Sequence, residues 1–143
     1  MDRAKIANDC YEAGYNCAQA VACAFADVVG LPVEQLAGLL GTFGGGFRTG
    51  GICGVISGAA VVLGARWPHS AAEDAGAKAL AGEKIRAFQE KFLSRFPAVD
   101  CRALKNLDAA AERSPAAQRL GVAKTCGVYI VSAVELLEEM LGA

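Results

Sequence analysis

Residues 84–97, KIRAFQEKFLSRFP, place Ile85, Phe88, Phe92 and Phe96 at steps of three and four, with Lys84, Arg86, Glu90 and Lys91 between them. Such steps gather the apolar side chains on one face of an α-helix and leave the charges on the other. Pro97 closes the pattern, because it lacks the amide donor a continuing helix needs. The same period recurs in both directions. Toward the C-terminus, Asp100 reads as the N-cap of a short helix beginning at Cys101. Ser114-Pro115 and Thr125 offer two starts for a last helix, whose stripe is Cys126, Tyr129, Ile130, Ala133, Leu137 and Met140, with Glu135, Glu138 and Glu139 largely off it. Toward the N-terminus, alanine-rich Ala71–Ala81 leads into the opening pattern, and an apolar helix is expected from near Ile52 to about Gly64. Gly41–Gly51 is a glycine-rich loop, preceded by a short helix with Pro32 and Glu34 in its first turn and Leu36, Leu39 and Leu40 along it. Asn16 with Gln19 three residues on forms a capping box, so Cys17 starts a helix running through Val21, Ala24 and Val28 to Gly30. Ile6, Cys10 and Ala13 make one more helical face, stopped at Gly14. No period-2 run, internal repeat or linker interrupts this. The expectation is an all-α bundle of about five to seven helices in a single domain, residues 1–143, with the Gly-rich loop ahead of a central apolar helix.

A chain of 143 residues is long enough to bury a sizeable core, and 54% hydrophobic with 20% charged residues excludes disorder. A formal net charge of −1 leaves no electrostatic footprint for a nucleic-acid partner. MDRAKIANDCYEAG carries charges through its first dozen residues and lacks the apolar core of a signal peptide. The longest apolar stretch, Ile52–Ala65, is broken by Gly54, Ser57, Gly58 and Gly64 and falls short of the roughly 20 residues a membrane span needs. The protein is therefore expected to be soluble and cytoplasmic, with no membrane span.

Six cysteines accompany a single histidine. In a reducing cytosol they are core thiols, metal or cluster ligands, or a reversible redox site rather than a permanent disulfide framework. Cys17, Cys53 and Cys101 fall at expected helix starts, and Cys126 does so if the last helix begins at Thr125. Unpaired amides and the helix dipole there favour the thiolate, which is both the nucleophile and the metal-binding form. Cys10 and Cys23 lie inside helices on or beside apolar faces, where cysteine packs as a small hydrophobe. No C-x-x-C occurs, so local spacing supports neither a zinc ribbon nor a ferredoxin-type run. GTFGGGFRTGG, residues 41–51, lacks the G-K-[ST] of a P-loop and reads as a tight loop between closely packed helices. Arg48 within it reads as a solvated arginine, with balancing of thiolate charge as a secondary role. His69 sits in an expected turn, and Ser57 in G-V-I-S-G has the wrong spacing for a nucleophile elbow.

Asn16-Cys17-Ala18-Gln19-Ala20-Val21, Gly44-Gly45-Gly46, Arg48-Thr49-Gly50 and Cys53-Gly54-Val55-Ile56-Ser57-Gly58 occur in that order, followed by Asp100-Cys101-Arg102 and by Cys126 with Ala133-Val134-Glu135-Leu136-Leu137. This order resembles the C-GCAxxG-C-C family of redox-active proteins, over about Cys10 to Leu141. The resemblance carries the family's four cysteines onto Cys17, Cys53, Cys101 and Cys126, and its C-G-A-x-x-G motif onto Cys53–Gly58. Val55 stands where the motif has alanine and adds bulk beside the presumed site. Related domains occur in split-Soret cytochromes, where an iron–sulfur centre accompanies haem; this chain has no C-x-x-C-H for covalent haem attachment.

What the resemblance implies is a redox-active site on Cys17, Cys53, Cys101 and Cys126, and several chemistries are open to it. The first is an iron–sulfur cluster, expected to be [2Fe–2S], serving electron transfer or redox sensing with a redox partner protein. The second is thiol–disulfide chemistry by a reactive pair within the four. The third is a zinc-binding structural or regulatory site. Against these stands a helical interaction module whose cysteines only fill the core. The large apolar fraction makes a homodimer an expectation as well.

Overall fold

In the computed structural model the structure describes residues 1–142. Among them the chain forms nine α-helices and no strand: α1 Arg3–Glu12, α2 Cys17–Cys23, α3 Ala26–Val29, α4 Val33–Leu39, α5 Gly54–Arg66, α6 Ala75–Leu93, α7 Cys101–Leu104, α8 Pro115–Arg119 and α9 Thr125–Leu141. The all-α expectation holds. The count exceeds five to seven because α3, α7 and α8 are one-turn pieces of four or five residues.

The last helix is the axis of the molecule. Every residue from Gly127 to Val134 is buried, as are Leu136 and Leu137, so α9 is covered on all sides rather than along one stripe. Helices α1, α2, α5, α6 and α8 pack around it. The face read from residues 84–97 closes one side: Phe88 and Phe92 in α6 and Phe96 just beyond it are buried, and the Phe92 and Phe96 rings meet Tyr129 at 6.2 Å and 4.9 Å between centroids. Both suggested starts for the last helix are used. Ser114 caps α8, with Pro115 at its first position, and α9 then begins at Thr125.

Two boundaries differ from expectation. The helix expected over residues 17–30 breaks at Ala24–Phe25. Arg3 of α1 donates to the Ala24 carbonyl (2.8 Å), forms two bonds to the Asp27 carboxylate (2.6 Å and 2.9 Å), and lies 4.5 Å from the Phe25 ring centroid. This cluster satisfies the end of α2 and the start of α3 separately, which removes the need for a continuous ladder. The apolar helix begins at Gly54 rather than Ile52. Ile52 instead forms an isolated antiparallel bridge with Asp100.

Crossing α2 and α5 sets the local architecture. A Cβ on Gly54 would stand 2.8 Å from the Ala18 amide nitrogen and 3.0 Å from the Cys17 Cβ, and one on Gly58 would stand 2.7 Å from the Ala18 carbonyl oxygen. The two glycines of Cys53–Gly58 are thus the reason the helices can approach backbone to backbone. Val55 is fully buried, so the bulkier side chain is accommodated in the core.

Candidate functional site

Each of the four expected cysteines is held by its own local device. For Cys17 it is the capping box at the head of α2: Gln19 N–H donates to the Asn16 side chain (2.8 Å), and Asn16 N–H donates to Gln19 Oε1 (2.9 Å). The same two side chains donate onward to the Leu40 and Ala37 carbonyls (3.0 Å and 2.8 Å), which ties the head of α2 to α4. Cys53 is the N-cap of α5, and Cys101 is the first residue of α7, whose Asp100 carboxylate accepts from Ala103 N–H at 2.9 Å. Two backbone bonds flank the Ile52–Asp100 bridge. Cys53 N–H donates to Val99 O (2.8 Å) and Cys101 N–H to Gly51 O (2.6 Å), which sets these two cysteines on two bridged segments of backbone. Cys126 is the second residue of α9, behind Thr125, whose hydroxyl donates to Leu107 O (3.1 Å). The buried Tyr129 hydroxyl, one turn along α9, donates to Leu104 O at 2.7 Å and so anchors α7 to α9.

These devices bring the four thiols within electrostatic reach of one another. Cys17 interacts directly with Cys126, and Cys53 and Cys101 also act on its charge. That hydrogen-bonding interaction, more than burial, pushes the Cys17 thiol up, and the same interaction is the main cause that brings Cys126 down to about 6. Tyr11 as a second hydrogen-bond donor and the positive charge of Lys105 act in the same direction on Cys126. Cys53 is pushed up to about 12 by burial, which outweighs the Val55 amide that favours its thiolate. The expectation that helix starts favour the thiolate is therefore overturned for Cys17 and Cys53. For Cys17 the proton is held by the interaction with Cys126, and for Cys53 desolvation of a buried sulfur costs more than an N-terminal amide returns.

All six cysteines are free thiols. Among the described residues, no group of three or more His, Cys, Asp or Glu side chains is placed to hold a metal ion. Cys10 and Cys23, expected to fill the core, line one cavity of 260 Å³ with Tyr15, Val33, Glu34 and Ala37, and burial raises both thiols. His69 is exposed, and the Ser57 hydroxyl donates back to Gly54 O at 3.3 Å along its own helix.

Sequence reading missed Tyr11, Lys105 and the role of Tyr129. Tyr129 had a signal, since it lies one turn from Cys126 on a helix already drawn; Tyr11 and Lys105 had none. It also missed the conformation of the Gly-rich loop. Gly45, Gly46, Phe47 and Arg48 all lie in the left-handed region, with φ of 63°, 60°, 58° and 63°. They form a left-handed turn, closed by Gly51 N–H donating to Gly46 O at 3.0 Å. A Cβ on Gly46 would stand 2.5 Å from Gly51 O, so only glycine fits there.

The family model described as "Putative redox-active protein (C_GCAxxG_C_C)" matches residues 15–140, which takes in all four cysteines and both glycines of the α2–α5 crossing. The chain belongs to the C_GCAxxG_C_C family. Comparison with curated proteins gave no match, and comparison with solved structures gave none either. No described helix is long and apolar enough to cross a membrane.

Proposed function

We propose that this protein exchanges electrons through its thiols, with Cys126 and Cys17 as the working pair and Cys53 and Cys101 beside them. The observation that carries this reading is that Cys17 and Cys126 each act most strongly on the other's proton affinity, with Cys53 and Cys101 also acting on Cys17. The chemistry is a two-electron exchange. The Cys126 thiolate attacks a partner disulfide, forming a mixed disulfide and expelling one partner thiolate. Cys17 then loses its proton and attacks the Cys126 sulfur, expelling the second. The products are a Cys17–Cys126 disulfide and a reduced partner dithiol, so two electrons leave the protein. Redox titration followed by peptide mapping tests it. One two-electron couple is expected, with Cys17 and Cys126 in the same oxidised fragment. Any other pairing, or no couple at all, overturns it.

A second reading is supported by the number and kind of the four cysteines, each at or beside a helix start, and by the influence of the other three on Cys17. In kind, four thiols suit an iron–sulfur cluster such as [2Fe–2S], which Cys17, Cys53, Cys101 and Cys126 would hold and which would supply one-electron transfer. The residues of this chain would shield such a group: Cys53 is buried, and Tyr129 fixes α7 behind Cys101. Anaerobic purification separates the readings. Stoichiometric iron and acid-labile sulfide with visible absorbance establish the cluster, and a colourless protein lacking both after reconstitution excludes it.

A further inference from the structure

Between Glu34 and Glu73 the chain carries no acidic residue, while Arg48 and Arg66 lie within that span. This stretch contains the left-handed turn. Phe47 and Arg48 occupy a region where a Cβ crowds the following carbonyl, so the backbone there is strained by its own side chains. Strain of this kind persists only where surrounding structure holds it. Here the hold comes from α7: Arg102 Nη2 donates to Thr49 O at 2.9 Å, and its guanidinium lies against Gly50.

The turn presents side chains outward beside the thiols. Phe47 is 47% exposed although its ring sits 5.0 Å from that of Phe43, and Ile52, one residue before Cys53, is 39% exposed. Three exposed cations belong to the same two elements: Arg48 follows Phe47 in the turn, Arg102 reaches Thr49 O from α7, and Lys105 at the end of α7 is close enough to act on Cys126. Against them stand two carboxylates at helix starts, Asp100, which accepts from Ala103 N–H (2.9 Å) and whose charge also acts on Cys53, and Asp108, which accepts from Ala110 N–H (3.0 Å). Three cations against two acids leave the border of the thiol group locally positive around its apolar groups, in a chain whose formal net charge is −1.

We infer that the left-handed turn and α7 form the docking face for an acidic protein that presents its disulfide to Cys126, with Phe47 and Ile52 at the apolar centre and Arg48, Arg102 and Lys105 on the rim. This inference rests on the dithiol reading above and names the partner's chemistry. Net charge of one sign around an apolar centre is how an interface gains both encounter rate and register. Nucleic acid fits less well, because a base could stack on Phe47 but Ile52 offers it no ring, and two carboxylates, Asp100 and Asp108, stand beside the face.

Two synthetic disulfide-bridged peptides of equal length, one flanked by glutamates and one by lysines, test the inference with the fully reduced protein under anaerobic conditions. The glutamate peptide is expected to be reduced about tenfold faster or more at low ionic strength, and high salt is expected to erase the difference. Phe47→Gly and Arg48→Gly are each expected to slow the glutamate peptide several-fold while raising the unfolding midpoint, because glycine relieves the left-handed strain. Arg66→Ala, the same loss of charge away from this face, leaves the rates as they are. Equal rates for the two peptides, or no response to either glycine substitution, overturn the docking face alone. Reduction of neither peptide overturns the dithiol reading beneath it. Inhibition of the glutamate-peptide reaction by a stoichiometric single-stranded oligonucleotide would assign the face to nucleic acid and overturn the inference as well.

Discussion

Cys53 and Cys126 both stand at the start of a helix, and their surroundings send them in opposite directions. Cys53 is buried, and burial takes its thiol to about 12; Cys126 has the Cys17 and Tyr11 donors and the Lys105 charge, and falls to about 6. Alkylation with iodoacetamide across a pH series should therefore label Cys126 first, with a midpoint near pH 6, and Cys53 and Cys17 only at much higher pH. A Cys126 midpoint near that of an ordinary thiol would show that these neighbours do not act on it. Cys53 has a consequence for stability too. Its folded pKa lies above the ordinary 9.0, so the folded state keeps a proton that the unfolded state gives up. The stability this contributes is fully present below pH 9.0 and is lost as pH rises toward about 12. Urea unfolding should show a decline over that window, and Cys53→Ala should make it shallower, the remainder coming from Cys17 and Tyr129, whose folded pKa values are raised as well. Position was legible at this scale, because the caps Asn16 and Asp100 announce Cys17 and Cys101. Charge state was not, because Tyr11 and Lys105 reach Cys126 only through the tertiary fold.

Glycines at two positions of α5 do opposite things. Gly58 lets α5 lie on the Ala18 backbone, where an added Cβ would meet the carbonyl oxygen at 2.7 Å, while Gly64 has nothing within 4 Å. Gly58→Ala should destabilise the protein by about 1–3 kcal/mol through overpacking against rigid backbone, and it should disturb the Cys17–Cys126 couple by displacing α2. Gly64→Ala should stabilise by up to about 1 kcal/mol through helix propensity alone. Urea denaturation of the two variants reads the signs directly, and a shared sign would remove the close crossing as the reason for Gly58. Tyr129→Phe removes the shorter of two donors to Leu104 O, which keeps Leu107 N–H at 3.2 Å, at a cost of about 0.5–1.5 kcal/mol. It should also speed alkylation of Cys101, since α7 loses its anchor. Elements announced by caps and period were readable from the chain: α6 from its phenylalanines, α2 and α7 from their N-caps. The break at Ala24–Phe25 was not, because Arg3 makes it from another helix. Nor was the left-handed turn, where Phe47 and Arg48 go against local preference.

Across the whole molecule, the four thiols come from the head of α2, the two sides of one backbone bridge and the start of the central helix, so a bond between Cys17 and Cys126 would link the first third of the chain to its last helix. The bundle and its apolar axis could be anticipated from periodicity alone, but this closure could not, since spacing along the chain says nothing about which helix heads meet. Its energetic effect follows from chain entropy. A disulfide that closes so long a loop removes conformations chiefly from the unfolded state, an effect of about 2–4 kcal/mol. The oxidised protein should therefore unfold at higher urea than the reduced protein. Cys17→Ser and Cys126→Ser should each abolish the difference, whereas Cys10→Ser and Cys23→Ser, which alter the walls of a separate cavity, should preserve it. Coincident unfolding of the oxidised and reduced wild-type proteins would mean that this pair does not close, and the dithiol reading would fall with it.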